Sequence, residues 1–291
     1  MEPVFLPADI AAKPILVKYL YAAIFTRRIL RERNPSTVIV MAPPAPAFLV
    51  ALLFKGTKTR LIADLHTGFF SDPKWSWFTK AGLRLMRGRL AIVTNRPLAE
   101  LCRKSGVDAI VLHDILKVGE YMDADSQVEP YILCPLSYAN DEPIAALLES
   151  ARLTPKLKYV WTGKAPERVM ASAPPNVSFS GYVDVGDYER ILSDCLGVVA
   201  VTDRDHTMQR AGYEALMAGK PQVTADFAVL REFLGEAALY VEPHDPQALA
   251  EAATQLANRR AEFSRIVEST LRQRVSEQSE SLDELRRLYA S

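Results

Sequence analysis

Short apolar, β-branched runs alternate along the chain with longer stretches that read as helix. In the front half the runs are Thr37–Met41, Arg60–Asp64, Ala91–Thr94 and Ala109–Leu112. In the back half they are Tyr131–Cys134, Tyr159–Thr162, Val177–Phe179, Gly197–Val201, Gln222–Thr224 and Leu239–Val241. The runs are continuous rather than alternating, as strands covered on both faces are. Strand and helix in alternation predict βαβ units and parallel sheets. Ten such strands exceed one comfortable doubly wound sheet. The expected organisation is therefore two α/β domains, residues 1–120 and 121–291, meeting in the polar, weakly periodic stretch Lys117–Val128. The tail from Pro246 to Tyr289 reads as helix throughout, with Asp245 as N-cap and Pro246 in the first turn.

Composition sharpens this only in places. With 49% hydrophobic and 24% charged residues over 291 positions, wholesale disorder is excluded. The net charge is zero but unevenly spread: residues 1–120 hold 18 Lys and Arg against 9 Asp and Glu, leaving 17 against 26 in the remainder. A basic half suits an anionic partner such as a membrane surface, a lipid phosphate or nucleic acid, or it is spread over solvated faces. No nucleic-acid module signature accompanies it, so no nucleic-acid partner is expected. Aromatics and cations mix in Lys18–Arg28 and in Lys74–Arg89, including Trp75 and Trp77. That mixture fits peripheral contact with anionic lipid, and equally the charged outer faces of sheet-covering helices. The start lacks a signal-peptide pattern, and no uncharged apolar run is long enough to span a bilayer. A cytoplasmic protein at the inner face of the membrane is expected. Cys102, Cys134 and Cys195 are far apart in apolar runs and read as reduced structural thiols. No carboxylate or His/Cys cluster has metal-ligand spacing, so no metal site is expected.

Ligands of open parallel sheets bind beyond the carboxyl ends of strands, so the residues after each strand carry the functional interest. Gly163 and Lys164 follow Tyr159–Thr162, and Gly181 and Tyr182 follow Val177–Phe179. After Gly197–Val201 come Thr202, Asp203, Arg204, Asp205, His206 and Thr207, then a helix expected over Met208–Ala218. The unpaired amides and partial positive charge of such a helix start bind phosphate. Thr207 adds a hydroxyl, and Arg204 or Arg210 a charge-assisted contact. Gly212, one turn in, permits close approach, and Glu214 stands where a carboxylate can accept from a ribose diol. On the residues alone, Thr207 as a simple cap and Glu214 as a solvated helix residue is the favoured reading.

The segments Pro174–Val183, Asp187–Tyr188, Thr202–Leu216, Gly219–Val223 and Leu230–Glu232, in that order and spacing, resemble the C-terminal domain of family 4 glycosyltransferases. The resemblance covers about 160 residues, from Tyr131 to the tail. It implies a GT-B fold, two Rossmann-like domains with parallel sheets facing across a cleft. It implies donor nucleotide on the back domain, retention at the anomeric carbon, and no cofactor or obligatory metal beyond a nucleoside-diphosphate sugar. Glu214 would hold the ribose, Thr207, Met208 and Gln209 would face the diphosphate, and Gly181 and Tyr182 would lie near the base. Two departures stand out. His206 occupies the place of the family's first glutamate, so His206, or Asp205 beside it, would meet the donor sugar. The loop Ser137–Pro143 lacks the family's Arg and Lys, with Lys164 as a substitute.

In the front half, Asp64-Leu65-His66 after a strand, together with Ala42–Ala45, resembles the acceptor-domain loops of that family. His66, oriented by Asp64, suits a general base or a sugar-hydroxyl contact. A GT-B front domain opens with a strand, a glycine-rich turn and a helix, whereas the first clear strand here is Thr37–Met41. A reduced N-terminal domain is therefore expected, with an exposed edge or an oligomer covering it. The function implied is transfer of a sugar to a lipid-linked or saccharide acceptor in polysaccharide or glycolipid assembly. The alternative is a non-catalytic, glycosyltransferase-like subunit that supports a partner enzyme. A nucleotide-sugar epimerase of the same fold has less motif support.

Overall fold

Two α/β units, Met1–His113 and Asp114–Ser291, make up the chain. The computed structural model describes residues 2–5, 7, 10, 14–44, 46–119 and 129–290. The boundary expected at residues 120 and 121 lies outside the described residues, as does Ala45.

In the first unit the four apolar runs become β1 (Thr37–Ala42), β2 (Arg60–Leu65), β3 (Leu90–Val93) and β4 (Asp108–Val111). They pair in parallel in chain order. Register sets Ala42 opposite Leu65 and Leu65 opposite Val93, three residues with no exposed surface. The helices are α1 (Ile15–Arg33), α2 (Ala47–Phe54), α3 (Thr67–Ser71), α4 (Ser76–Leu85) and α5 (Arg96–Lys104). Phe48 from α2 and Phe69 from α3 fill the core with Met86 and Cys102. Each buried ring contributes on the order of 1.5–3 kcal/mol. The α5 helix starts where it does because the Asn95 side chain accepts from the Leu98 amide at 3.0 Å and Pro97 fits the first turn.

The second unit holds β5 (Ile132–Cys134), β6 (Tyr159–Thr162), β7 (Val177–Gly181), β8 (Gly197–Val199), β9 (Gln222–Ala225) and β10 (Ala238–Val241). All pair in parallel, in the order β10-β9-β8-β5-β6-β7. The chain thus runs outward from β5 to β7, returns to the other side of β5, and runs outward again. The helices are α6 (Ile144–Leu153), α7 (Glu167–Ser172), α8 (Val185–Asp194), α9 (Arg210–Met217), α10 (Ala228–Leu234), α11 (Pro246–Asn258) and α12 (Arg260–Ala290). Trp161 is fully buried and meets Phe179 edge to face, ring centroids 5.7 Å apart. Lys220 is buried, and its ammonium donates to the carbonyls of Ser193 and Cys195 at the carboxyl end of α8. There it complements the negative pole of that helix, while desolvation lowers its pKa.

The tail corrects one expectation. Asp245 caps α11 through the amides of Gln247 and Ala248, at 2.9 and 3.1 Å, but the helix stops at Asn258. Arg259 leaves helical geometry, and its guanidinium folds forward onto Glu262 in the first turn of α12. The α12 helix buries Phe263, Val267 and Leu271, and its Gln278 brackets the backbone of Asp114 and Leu116 with bonds of 2.8 and 3.0 Å.

Cys102, Cys134 and Cys195 are free and buried. Burial pushes the Cys102 thiol up to about 11 and Cys195 to about 12, and raises Cys134 as well. Ellman's reagent at pH 8 is therefore expected to label no thiol in the folded protein and all three in denaturant. Because the folded pKa values are raised, the thiols support folding fully below the ordinary value of 9.0. That support fades as pH climbs through the folded values. A urea-unfolding series should show stability falling above about pH 9.

Candidate functional site

The reversal of strand order lies between β5 and β8, and it is at such a switch point, beyond the carboxyl ends of the strands, that open parallel sheets take their ligands. The loop after β5 carries two carboxylates and no base. Glu142 is buried and turned into its own loop: it accepts from the Ser137 amide at 3.1 Å, the Ser137 hydroxyl at 3.0 Å and the Ala139 amide at 3.1 Å. Between them Tyr138 takes a left-handed backbone with φ 58°. Burial pushes its phenol up to about 12.

Asp141 reaches across to the loop after β8. It accepts from the buried Thr202 hydroxyl at 2.9 Å, its backbone carbonyl accepts from the Asp203 amide at 2.9 Å, and the Arg204 guanidinium stands 3.8 Å away. Thr202 in turn accepts from the Arg204 amide at 3.2 Å. The side chain of Asp203 stands 3.6 Å from His244, in the loop after β10. Thus three loops at one end of the sheet are stitched together. The sequence reading missed Asp141, Glu142 and His244. The run Asn140-Asp141-Glu142-Pro143 was the only signal for the first two, and their partners lie about 60 residues away or on local amides.

Beyond Arg204 the chain departs from expectation. A helix from Met208 is predicted, but α9 begins at Arg210 with Gln209 as an extended N-cap. His206 has a left-handed backbone, φ 60°, its amide donates to the Asp205 carboxylate at 2.6 Å, and its ring stands 3.8 Å from the same carboxylate. The Thr207 hydroxyl points back to the Asp205 carbonyl at 3.4 Å and caps no helix. The tight turn over residues 205–207 engages the His206 amide and the Thr207 hydroxyl, and the helix starts after it. Met208 packs into the core instead of opening α9. The N-cap residue Gln209 makes no side-chain bond to the start of α9, and its carbonyl accepts from the Gly212 amide at 2.9 Å.

Gly212 has a packing role that its sequence position did not reveal. Its carbonyl accepts from the Gln222 side chain at 3.1 Å, and a Cβ there would stand 3.0 Å from Gln222 Oε1. Its missing side chain thus seats α9 on β9. One turn into α9, the Glu214 side chain is only 17% exposed, so it is not lost to bulk water. It accepts from Arg210 Nε at 2.8 Å, while Arg210 itself is 84% exposed.

Lys164, Gly181 and Tyr182 gather at the ends of β6 and β7. Gly163 needs its φ of 87°, and a Cβ there would meet the Leu136 carbonyl at 2.0 Å. The loops after β5 and β6 are therefore in contact. Lys164 Nζ stands 6.0 Å from the ring centre of the exposed Tyr182.

In the first unit, β2 ends in Asp64 and Leu65, and His66 caps α3. His66 Nε2 and an Asp64 carboxylate oxygen are 3.5 Å apart, both partly exposed. The His66 amide donates to the Ala42 carbonyl at 3.0 Å, and Gly68 packs on Pro43. This joins the two loops that the sequence singled out. The predicted residues thus form two clusters, one per unit. Among the described residues no group of three or more His, Cys, Asp or Glu could hold a metal ion. No described helix is long and apolar enough to cross a membrane.

Replacing Glu142 by Ala should cost about 1–3 kcal/mol, because three donors around it lose their acceptor. Denaturant unfolding measures that loss.

Residues 130–259 match the family model for glycosyl transferases group 1. No curated protein sequence matches the chain. Among solved structures, TarM superposes with a TM-score of 0.74 at 15% identity, over 94% of this chain and 58% of its own. This chain therefore spans little more than half of TarM. Sucrose-phosphate synthase from Thermosynechococcus elongatus gives a TM-score of 0.75 at 13% identity, covering 98% of this chain and 80% of that one. HepE from Anabaena, solved in complex with UDP and glucose, gives 0.69 at 15% identity, covering 94% and 84%. Such likeness shows the fold, an α/β arrangement of parallel sheets of the GT-B type.

Proposed function

We propose, on the premise that residues 130–259 form a glycosyl transferases group 1 domain, that this chain moves a sugar from a nucleoside-diphosphate sugar to an acceptor hydroxyl. The observation that carries this reading is Glu214: a mostly covered carboxylate, one turn into a helix with an uncapped start, beside the strand-order reversal. Its oxygens suit a ribose diol, and the amides of Arg210 and Ala211 suit a diphosphate. HepE was solved with UDP, which supports a nucleotide ligand for the shared fold. Holding the leaving diphosphate against a positive helix pole is the electrostatic help such a reaction needs. Gln209 and Thr207, next to that pole in the chain, are proposed to face the diphosphate, while Met208 supports them from the core. Lys164, Gly181 and Tyr182 offer an aromatic face for a base, and Arg204 holds the loop through Asp141. His206, Asp64 and His66 are proposed to contact donor sugar or acceptor. Retention of configuration and independence of metal and cofactor belong to this proposal.

A second reading, a non-catalytic subunit, is favoured by the two carboxylates in the loop after β5 and by His206 in place of an acid. Thermal melting with UDP, GDP and ADP tests the donor site. One nucleotide should raise the melting temperature, and Glu214→Ala should weaken its binding about tenfold or more. No shift with any of the three sinks the donor site. Binding without hydrolysis of any nucleotide sugar across a panel supports the subunit reading.

For the acceptor we propose a lipid-linked or saccharide hydroxyl, in polysaccharide or glycolipid assembly, reached at a membrane face. The outer side of α1 exposes Val17, Leu20, Tyr21 and Ile24 in one stripe that runs on into Arg27 and Arg31. The protein should sediment with vesicles containing phosphatidylglycerol, less so in high salt. Leu20→Asp together with Ile24→Asp should abolish the association, and equal pelleting of this variant excludes the stripe.

A further inference from the structure

A diphosphate brings at least two negative charges, and the crevice beside β5 is poorly equipped to meet them. The loop after β5 contributes Asp141 and Glu142, and Glu142 already occupies the amides of Ser137 and Ala139. Three cations stand on the loops and helix start around the crevice. Arg204 is drawn toward Asp141, 3.8 Å away, and Lys164 stands over the Tyr182 ring. Arg210 is the third. It is the first residue of α9, at the positive pole of that helix, and its guanidinium is 84% exposed.

Arg210 is held in its present place by Glu214, through Nε at 2.8 Å. The spacing of four residues puts both side chains on one face of α9. So the group best suited to a ribose diol and the cation nearest the open helix start are each other's partners. Only the Arg210 half of the pair is solvated, 84% exposed against 17% for Glu214, and a solvated guanidinium exchanges readily with water and ligand.

We propose that this pair is a latch: the incoming nucleotide opens it, ribose hydroxyls taking Glu214 and the diphosphate taking the released Arg210. The proposal rests on the donor-site reading above and deepens it, by naming the counter-charge and a selection for diphosphate over nucleoside. A nucleoside must part the two side chains with no phosphate to receive the guanidinium. A nucleoside diphosphate replaces one charge-assisted contact by another. Arg210 thereby does from the helix start what the acidic loop after β5 cannot.

The test is isothermal titration of the wild type, Arg210→Gln and Arg210→Lys with UDP, GDP and ADP, and with uridine, guanosine and adenosine. For whichever diphosphate the wild type binds, Arg210→Gln should weaken binding about tenfold or more, as loss of one charge-assisted contact does. The matching nucleoside should bind that variant as well as the wild type or better, because Glu214 is no longer engaged. Arg210→Lys should keep most of the diphosphate affinity, and sensitivity of that affinity to salt should fall in Arg210→Gln. Arg210→Gln should melt with the wild type in the absence of ligand, since the side chain is solvated. Diphosphate affinity unchanged in Arg210→Gln, or an equal loss for diphosphate and nucleoside, overturns the latch. If Glu214→Ala still loses nucleotide binding in that case, the donor site stands and only the latch falls. A wild type that binds none of the three diphosphates removes both.

Discussion

The polar contacts at the carboxyl end of the second sheet depend on one topological fact, the reversal of strand order between the parallel neighbours β5 and β8. Parallel strands that succeed one another in order carry their loops over the same edge and close the space between them. Where the order reverses, the two loops part and a crevice opens. Asp141 spans that gap, holding Thr202 and the Asp203 amide from the other side. The sheet beneath is rigid: Ile132, Leu133 and Trp161 have no exposed surface, so the loop ends are held by close-packed strands.

The electrostatics follow from how each charge is satisfied. Glu142 costs little to bury because two amides and a hydroxyl converge on it. Asp141 is shared between a hydroxyl and a guanidinium. Lys220 is spent on helix-end carbonyls, far in role from any ligand. What remains available is the positive pole of α9 with its one solvated guanidinium and one covered carboxylate. The result is a sheet end whose carboxylates are each met by a donor of the protein itself, Asp141 by Thr202, Glu142 by Ser137 and Ala139, and Glu214 by Arg210.

The strands were legible because each is a continuous apolar run, and burial on both faces of a parallel sheet demands that pattern. All ten expected runs are strands, with ends shifted by at most two residues. The α11 cap was legible because Asp before Pro satisfies the first amides locally. The start of α9 and the break at Arg259 were not. Each turns on competition among nearby polar groups, the Asp205–His206–Thr207 turn in one case and Arg259 with Glu262 in the other.

For the candidate site the division has the same origin. Glu214 and the helix that carries it could be placed from residue spacing, since both lie within one local segment. So could the neighbourhood of Asp64 and His66, two residues apart at a strand end. Sequence alone determined which segments are strands and helices, because burial and local hydrogen bonding act over a few residues. Only the tertiary structure decided that β8 lies beside β5, that Asp141 holds Thr202 across 61 positions, and that Gly212 serves packing on Gln222. Those outcomes are set by which strands become neighbours and which polar groups are left to pair, and chain order carries no local record of either.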